Sequence, residues 1–221
     1  YIKFYYKSDK KYKDKTFLYA YDTKSEVVLF GADDIDNYAD RVYTVSKGDS
    51  EKKYKVDKNA DVIYNGRFLS DWGDGSLLVP DVGNVKLVDT MDDGSYDLVV
   101  VTSYIIMSVA KVDDDGIIYD KTDYNNTIET DTKYLTVTDE SGYASSVSLI
   151  KQEDIIFAAQ SIDKSVTEIK VSKNTVTGKV ENISSENGKD YFVINGDKYY
   201  VSDYFYKTKD YLSSGKFAAY K

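Results

Sequence analysis

Asp61-Val62-Ile63-Tyr64-Asn65-Gly66-Arg67-Phe68-Leu69 is the stretch whose reading settles the fold class. Apolar and aromatic β-formers run up to an Asn-Gly pair and resume beyond it. A two-residue type I′ turn needs φ > 0 at both central positions, and Asn and Gly accept that at least cost. The stretch therefore reads as two antiparallel strands joined by a tight hairpin. The same device returns at Asn195-Gly196, between Tyr191-Phe192-Val193-Ile194 and Lys198-Tyr199-Tyr200-Val201.

The flanking sequence repeats the pattern in both directions. Tyr1-Ile2-Lys3-Phe4-Tyr5-Tyr6 and the run 16–21 enclose a Lys/Asp-rich loop and read as a hairpin with a long turn. The run 26–30 stops at Gly31, and 41–45 is a further strand. Runs 85–88 and 96–101 bracket an Asp/Gly turn, and 108–112 and 117–119 bracket Asp113-Asp114-Asp115-Gly116. Later strands are expected at 133–137, 145–149, 155–159, 168–171 and 175–183. Turn signals spaced by about 8–12 residues favour sandwiches or barrels. Only 34–40 and 206–212 carry a helical pattern, of one or two turns each. The expected fold class is all-β: two or more small antiparallel β-barrel or sandwich modules in tandem, with very little helix. The polar stretch 120–132 reads as a linker or long loop. It divides an N-terminal module, 1–130, from one or more C-terminal modules, 131–221, with a sub-boundary near 173. The last residues, Phe217-Ala218-Ala219-Tyr220-Lys221, read as a strand cut short. The chain starts at Tyr1 without a signal-peptide pattern. Both features fit a piece of a longer protein.

Composition removes much chemistry. The 221 residues contain neither Cys nor His, which excludes disulfides, thiolate nucleophiles, Cys/His zinc sites and Ser-His-Asp triads. Net charge is −9 and the pI is near 4.7. That balance argues against a nucleic-acid or anionic-membrane partner, and no apolar run is long enough to span a membrane as a helix. Charge is uneven: residues 1–24 carry +4, residues 198–221 carry +3, and the middle carries −16. Tyr occurs 23 times, roughly three times the share usual in globular chains. Such residues serve cross-strand pairs, protein interfaces or a glycan face.

One region has a family likeness. Ala60-Asp61-Val62-Ile63-Tyr64-Asn65-Gly66 is followed by Val85-Lys86-Leu87-Val88-Asp89-Thr90-Met91-Asp92-Asp93-Gly94-Ser95-Tyr96-Asp97-Leu98-Val99-Val100-Val101 and Ser103-Tyr104. This order resembles the extracellular β-rich repeat regions of Gram-positive surface proteins that carry S-layer homology domains. There an apolar-Tyr-Asn-Gly hairpin leads to Leu-Ile-Asp, an Asp/Gly turn, Asp and a run of Val. The residues 149–171, Val176-Thr177-Gly178-Lys179-Val180 and Asn195-Gly196-Asp197-Lys198-Tyr199 look like the module that follows it. The likeness covers 60–221. It implies a structural module at the cell surface or secreted, with no enzymatic residue to carry over.

The most chemical-looking segment is 89–97. As a calcium loop it offers Asp89, Asp93 and Asp97 as metal ligands at positions 1, 5 and 9, with Gly94 at the sharp turn. Position 3 is Met91 and position 12 is Val100, so two side-chain ligands are missing; the proteins it resembles often have a fuller Asp-x-Asp-x-Asp-Gly. The competing expectation is a turn whose carboxylates bind their own backbone, and it outweighs the metal reading. Trp72, between Asp71 and Gly73, reads as a plug of the core, with sugar stacking as the alternative. Carboxylate pairs are too abundant to single out a hydrolase, and no nucleotide-binding glycine motif occurs. The expectation is a non-enzymatic surface or secreted structural module that contacts its own copies, neighbouring domains or cell-wall glycan. A virion or tail structural protein and a carbohydrate-binding module are the alternatives.

Overall fold

The Asn65-Gly66 pair turns the chain as its chemistry demands, with φ of 44° and 79°. In the computed structural model, which describes residues 3–8, 15–21, 25–73, 75–186 and 189–201, it joins two antiparallel strands. Val62 faces Leu69 and Tyr64 faces Arg67 across that hairpin. The Asn195-Gly196 turn has φ of 54° and 81° and likewise joins an antiparallel pair.

The protein is all-β. Its first strands are β1 (Lys3–Ser8), β2 (Lys15–Tyr21), β3 (Glu26–Gly31), β4 (Ile35–Ala39) and β5 (Val42–Lys47). Then come β6 (Ser50–Tyr64), β7 (Arg67–Leu69), β8 (Gly83–Asp89) and β9 (Tyr96–Ser103). The rest are β10 (Ile105–Val112), β11 (Ile117–Asp120), β12 (Thr127–Glu129), β13 (Tyr134–Asp139), β14 (Ile155–Gln160), β15 (Val166–Ser172), β16 (Val180–Glu186), β17 (Lys189–Ile194) and β18 (Asp197–Tyr200). Single 3₁₀ turns at Ala32–Asp34, Ser76–Leu78 and Val147–Leu149 are the only helical backbone among the described residues. The strands make a β1–β2 hairpin, a seven-stranded sheet in the order β3-β8-β9-β6-β5-β4 with β7 on β6, a six-stranded sheet β12-β11-β10-β14-β15-β13, and a meander β16-β17-β18.

By contacts the chain divides into two compact units. One holds Tyr1–Ile105, Thr132–Thr136 and Ala158–Glu168; the other holds Ile106–Asp131, Val137–Phe157 and Ile169–Lys221. In the first unit the seven-stranded sheet buries Phe30, Tyr43, Val45, Val56, Val62, Leu78, Val85, Leu87, Val99 and Val101 in one cluster. Residues two apart on a strand share a face, so Val85/Leu87 and Val99/Val101 point the same way. Val88, Leu98 and Ile63 form a separate buried cluster. Part of the Tyr excess lies here as a cross-strand ladder: Tyr38 faces Tyr43, and Tyr43 faces Tyr54. The Tyr38 and Tyr43 rings lie 4.5 Å apart, and Phe30 stacks on Tyr54 at 5.7 Å. Such pairs add to area burial.

The Asn-Gly hairpin is anchored within the same unit. The Asn65 Nδ2 donates to the carbonyls of Ser103 (3.1 Å) and Gln160 (2.8 Å), while its Oδ1 accepts from the Ser103 N–H at 2.8 Å. Arg67 holds Asp163 through Nε at 3.1 Å and Nη2 at 3.0 Å. Burial by itself would raise the Asp163 carboxyl. Hydrogen bonds from Ser161 and Ser165, with the Arg67 charge, hold it well below the usual carboxylate range.

In the second unit the turn after β10 is closed by Asp113, whose Oδ1 accepts the Ile117 N–H at 2.8 Å. Tyr119 donates to its Oδ2 at 3.0 Å. The C-terminal meander packs Phe192 and Ile194 with Val176, Val180, Tyr199 and Val201.

Several local expectations change. The pattern at 34–40 is not helical. Asp34 Oδ2 accepts the Gly31 N–H at 3.1 Å and closes one 3₁₀ turn, after which 35–39 joins the sheet as β4. Tertiary pairing overrides a weak local propensity. The run 145–149 is not a strand either: Asp139 Oδ1 accepts the N–H groups of Ser141 and Tyr143, both at 2.9 Å. This turn limits further pairing to one bridge, Thr138 with Ala144, ahead of the 3₁₀ turn. Within 120–132, expected to be linker, β12 pairs with β11. Residues 175–179 precede β16 without belonging to it. β6 and β9 run parallel, where only antiparallel pairing was expected. The expected turns at 206–212 and the strand at 217–221 lie outside the described residues.

Candidate functional site

The loop between β8 and β9 is organised around its own acids. Asp89, the last residue of β8, is 1% exposed. Its Oδ1 accepts the N–H groups of Met91 (3.1 Å) and Asp93 (3.4 Å), and its Oδ2 accepts that of Gly94 at 2.8 Å. Asp93 Oδ1 takes the Ser95 N–H at 2.8 Å. Asp97 takes both Thr90 donors, the N–H at 3.0 Å and the hydroxyl at 2.6 Å. Each of the three acids named as calcium ligands thus faces donors of its own loop. No group of three or more acidic residues converges as a metal site would among the described residues.

The same chemistry recurs along the chain. Asp57, Asp71, Asp120, Asp123, Asp139 and Asp163 each accept the backbone N–H two residues on. These are Asx turns, in which a short carboxylate closes a ring with its own backbone and fixes the bend.

A second feature brings together side chains that sequence reading did not connect. The β4–β5 turn, the middle of β6 and the Trp72 loop surround an open cleft of about 280 Å³, lined by Tyr38, Asp40, Arg41, Lys58 and Trp72 among others. Each wall is fixed from behind. Asp40 and Arg41 both take left-handed backbone, φ 52° and 61°, as a type I′ turn requires. The Arg41 carbonyl accepts the Val56 N–H at 2.8 Å, tying the turn to β6. Lys58 lies where β6 shifts register against β9 between Val56 and Asp61. Neighbouring Asp57 is turned to the Asn59 N–H at 2.7 Å.

The Trp72 loop is held by Asp71 on the Gly73 N–H at 3.0 Å and by the Gly75 N–H on the Trp72 carbonyl at 3.0 Å. Gly75 sits at φ 84° against the Tyr38 ring, where a Cβ would come within 2.6 Å of Cε1. Beyond it, the Leu78 carbonyl accepts the Tyr43 hydroxyl at 2.8 Å. Burial pushes the Tyr43 hydroxyl far up, so it stays a donor. Burial raises the Tyr38 hydroxyl too, and the Arg41 charge partly offsets this. Trp72 packs its inner side on the sheet's main cluster, as a plug would, and also lines the cleft.

No protein-family model, curated protein or solved structure matches this chain. No helix of the described residues is long and apolar enough to cross a membrane.

Proposed function

We propose that this chain is a non-enzymatic structural module of a cell-surface or secreted assembly, joining copies of itself through strand edges and Tyr-rich faces. Strand β3 carries the reading. Among the described residues it ends the order of the seven-stranded sheet and pairs only with β8. Its run Val27-Val28-Leu29-Phe30 holds no charge and no Pro. Val27 and Leu29, two residues apart on one face, are 40% and 60% exposed. The acid at its start, Glu26, accepts the Tyr96 hydroxyl at 2.8 Å. Sheet edges are normally blunted by Lys, Pro or inward charge, because a bare edge templates further pairing. An apolar edge without these guards suits strand addition, and a self-complementary run suits an isologous pair of copies. The turn-closing acids support a mechanical role, since they stiffen bends. The resemblance of 60–221 to extracellular repeat regions supports the location.

Sedimentation velocity from about 1 to 100 µM tests the reading. Wild type is expected to associate with concentration. Leu29→Lys, which installs a guard on the exposed face, should weaken association about tenfold or more, the scale of burying one unpaired charge. A wild type that stays monomeric throughout removes β3 as the contact.

A further inference from the structure

We propose that the cleft between the β4–β5 turn and the Trp72 loop binds an acidic saccharide, with one sugar ring on Trp72 and its anionic group between Arg41 and Lys58. This inference does not depend on the assembly role of β3.

Four observations converge on it. Arg41 and Lys58 line one cleft, and neither has an ion pair among the described residues, although the chain holds more acids than bases. Within the same unit Arg67 is engaged on Asp163 and Lys53 lies near Glu51. Two free cations at one cleft attract an anion, and the guanidinium fork matches a carboxylate. Second, the Tyr38 hydroxyl is buried with no hydrogen-bond partner. A buried polar group without a partner carries a cost, and since this oxygen is closed to solvent a ligand hydroxyl would relieve it only as the ring turns outward. Third, Trp72 is half-buried and lines the cleft, and its inner packing holds the ring in place. A fixed aromatic face receives the C–H face of a pyranose with little ordering cost. Fourth, an Asp-Arg pair occupies the type I′ turn of β4–β5, whereas two other such turns among the described residues use Asn-Gly. Left-handed backbone is costly for Arg, a cost that Glu153 and Lys164 also bear at turns elsewhere.

The charge arrangement narrows the ligand. Among the described residues that line the cleft, Asp40 stands with the two cations and offers an acceptor. A bare anion gains from the cations but meets the carboxylate. A sugar acid uses both: its anion meets Arg41 and Lys58, and its hydroxyls donate to Asp40 and pair with Tyr38. The volume of about 280 Å³ suits a single ring, just below the pocket sizes common for drug-sized molecules.

Trp72 is the only Trp of the chain, so intrinsic Trp fluorescence reports on this cleft alone. The probes are sodium D-glucuronate, D-glucose and inorganic phosphate at fixed ionic strength. Glucuronate is expected to change the emission saturably, with half-saturation near about 1 mM for so small a ligand in an open cleft. Glucose and phosphate should each bind about tenfold more weakly or not at all. Arg41→Gln and Lys58→Gln should each weaken glucuronate about tenfold, the worth of one hydrogen bond to a charged group, with the urea midpoint unchanged. Lys58→Gln, on exposed strand backbone, decides the matter if Arg41→Gln perturbs its turn. A flat response to glucuronate, confirmed by calorimetry, overturns the proposal. So does glucose binding as well as glucuronate, phosphate binding as well as glucuronate, which marks an adventitious ion only, or a Lys58→Gln protein that binds like wild type.

Discussion

Asn65 does two jobs with one side chain. Its backbone takes the left-handed conformation of the β6–β7 turn, and its amide makes three hydrogen bonds to Ser103 and Gln160. Asn65→Asp separates them, because Asp tolerates the same backbone but cannot donate. The Ser103 and Gln160 carbonyls would then face a carboxylate in a site where residue 65 is only 7% exposed. The expected cost is about 2 kcal/mol or more, since buried acceptors left unpaired carry their full desolvation penalty. Urea unfolding of both proteins checks this; equal midpoints would mean that the amide bonds contribute nothing. The turn role was legible in the Asn-Gly pair alone. The amide's partners were not, because Gln160 lies far along the chain and nothing local marks it.

At the scale of an element, the β8–β9 loop behaves as a backbone cradle closed around Asp89. Asp89→Ala should cost about 2 kcal/mol, since it leaves three N–H groups without their acceptor. Melting in calcium and in chelator separates this role from cation binding. Carboxylates held by their own loop predict equal melting temperatures. A rise of a few degrees in calcium, abolished by Asp93→Ala, would instead assign the loop a cation. The hairpins and most strands were readable because alternation and turn residues are local. The parallel pairing of β6 with β9 was not, since nothing in either strand distinguishes it. The cleft was half-legible: Trp72 stood out as the only Trp, but Arg41 and Lys58 looked like ordinary surface charge until the sheet brought them beside it.

For the whole molecule, charge separation is the largest feature: +4 over residues 1–24, −16 over 25–197 and +3 over 198–221. Copies meeting end to middle would attract one another, and salt would screen this. The association expected of β3 should therefore weaken severalfold between about 0.05 and 0.5 M salt, as the screening length shrinks to a few ångströms. Sedimentation at the two salt levels checks it, and an unmoved constant would leave the apolar edge as the sole driving contact. The sheet order also has a consequence in time. β6 is complete at Tyr64, but its parallel partner ends at Ser103, and the unit that contains both also takes in Ala158–Glu168. Pairing between distant strands must close a long loop before any contact rewards it. On a ribosome the first unit would therefore wait, its longest strand already made and its apolar face open, until just over three-quarters of these 221 residues had emerged. A chaperone that shields nascent apolar strands would act in that interval.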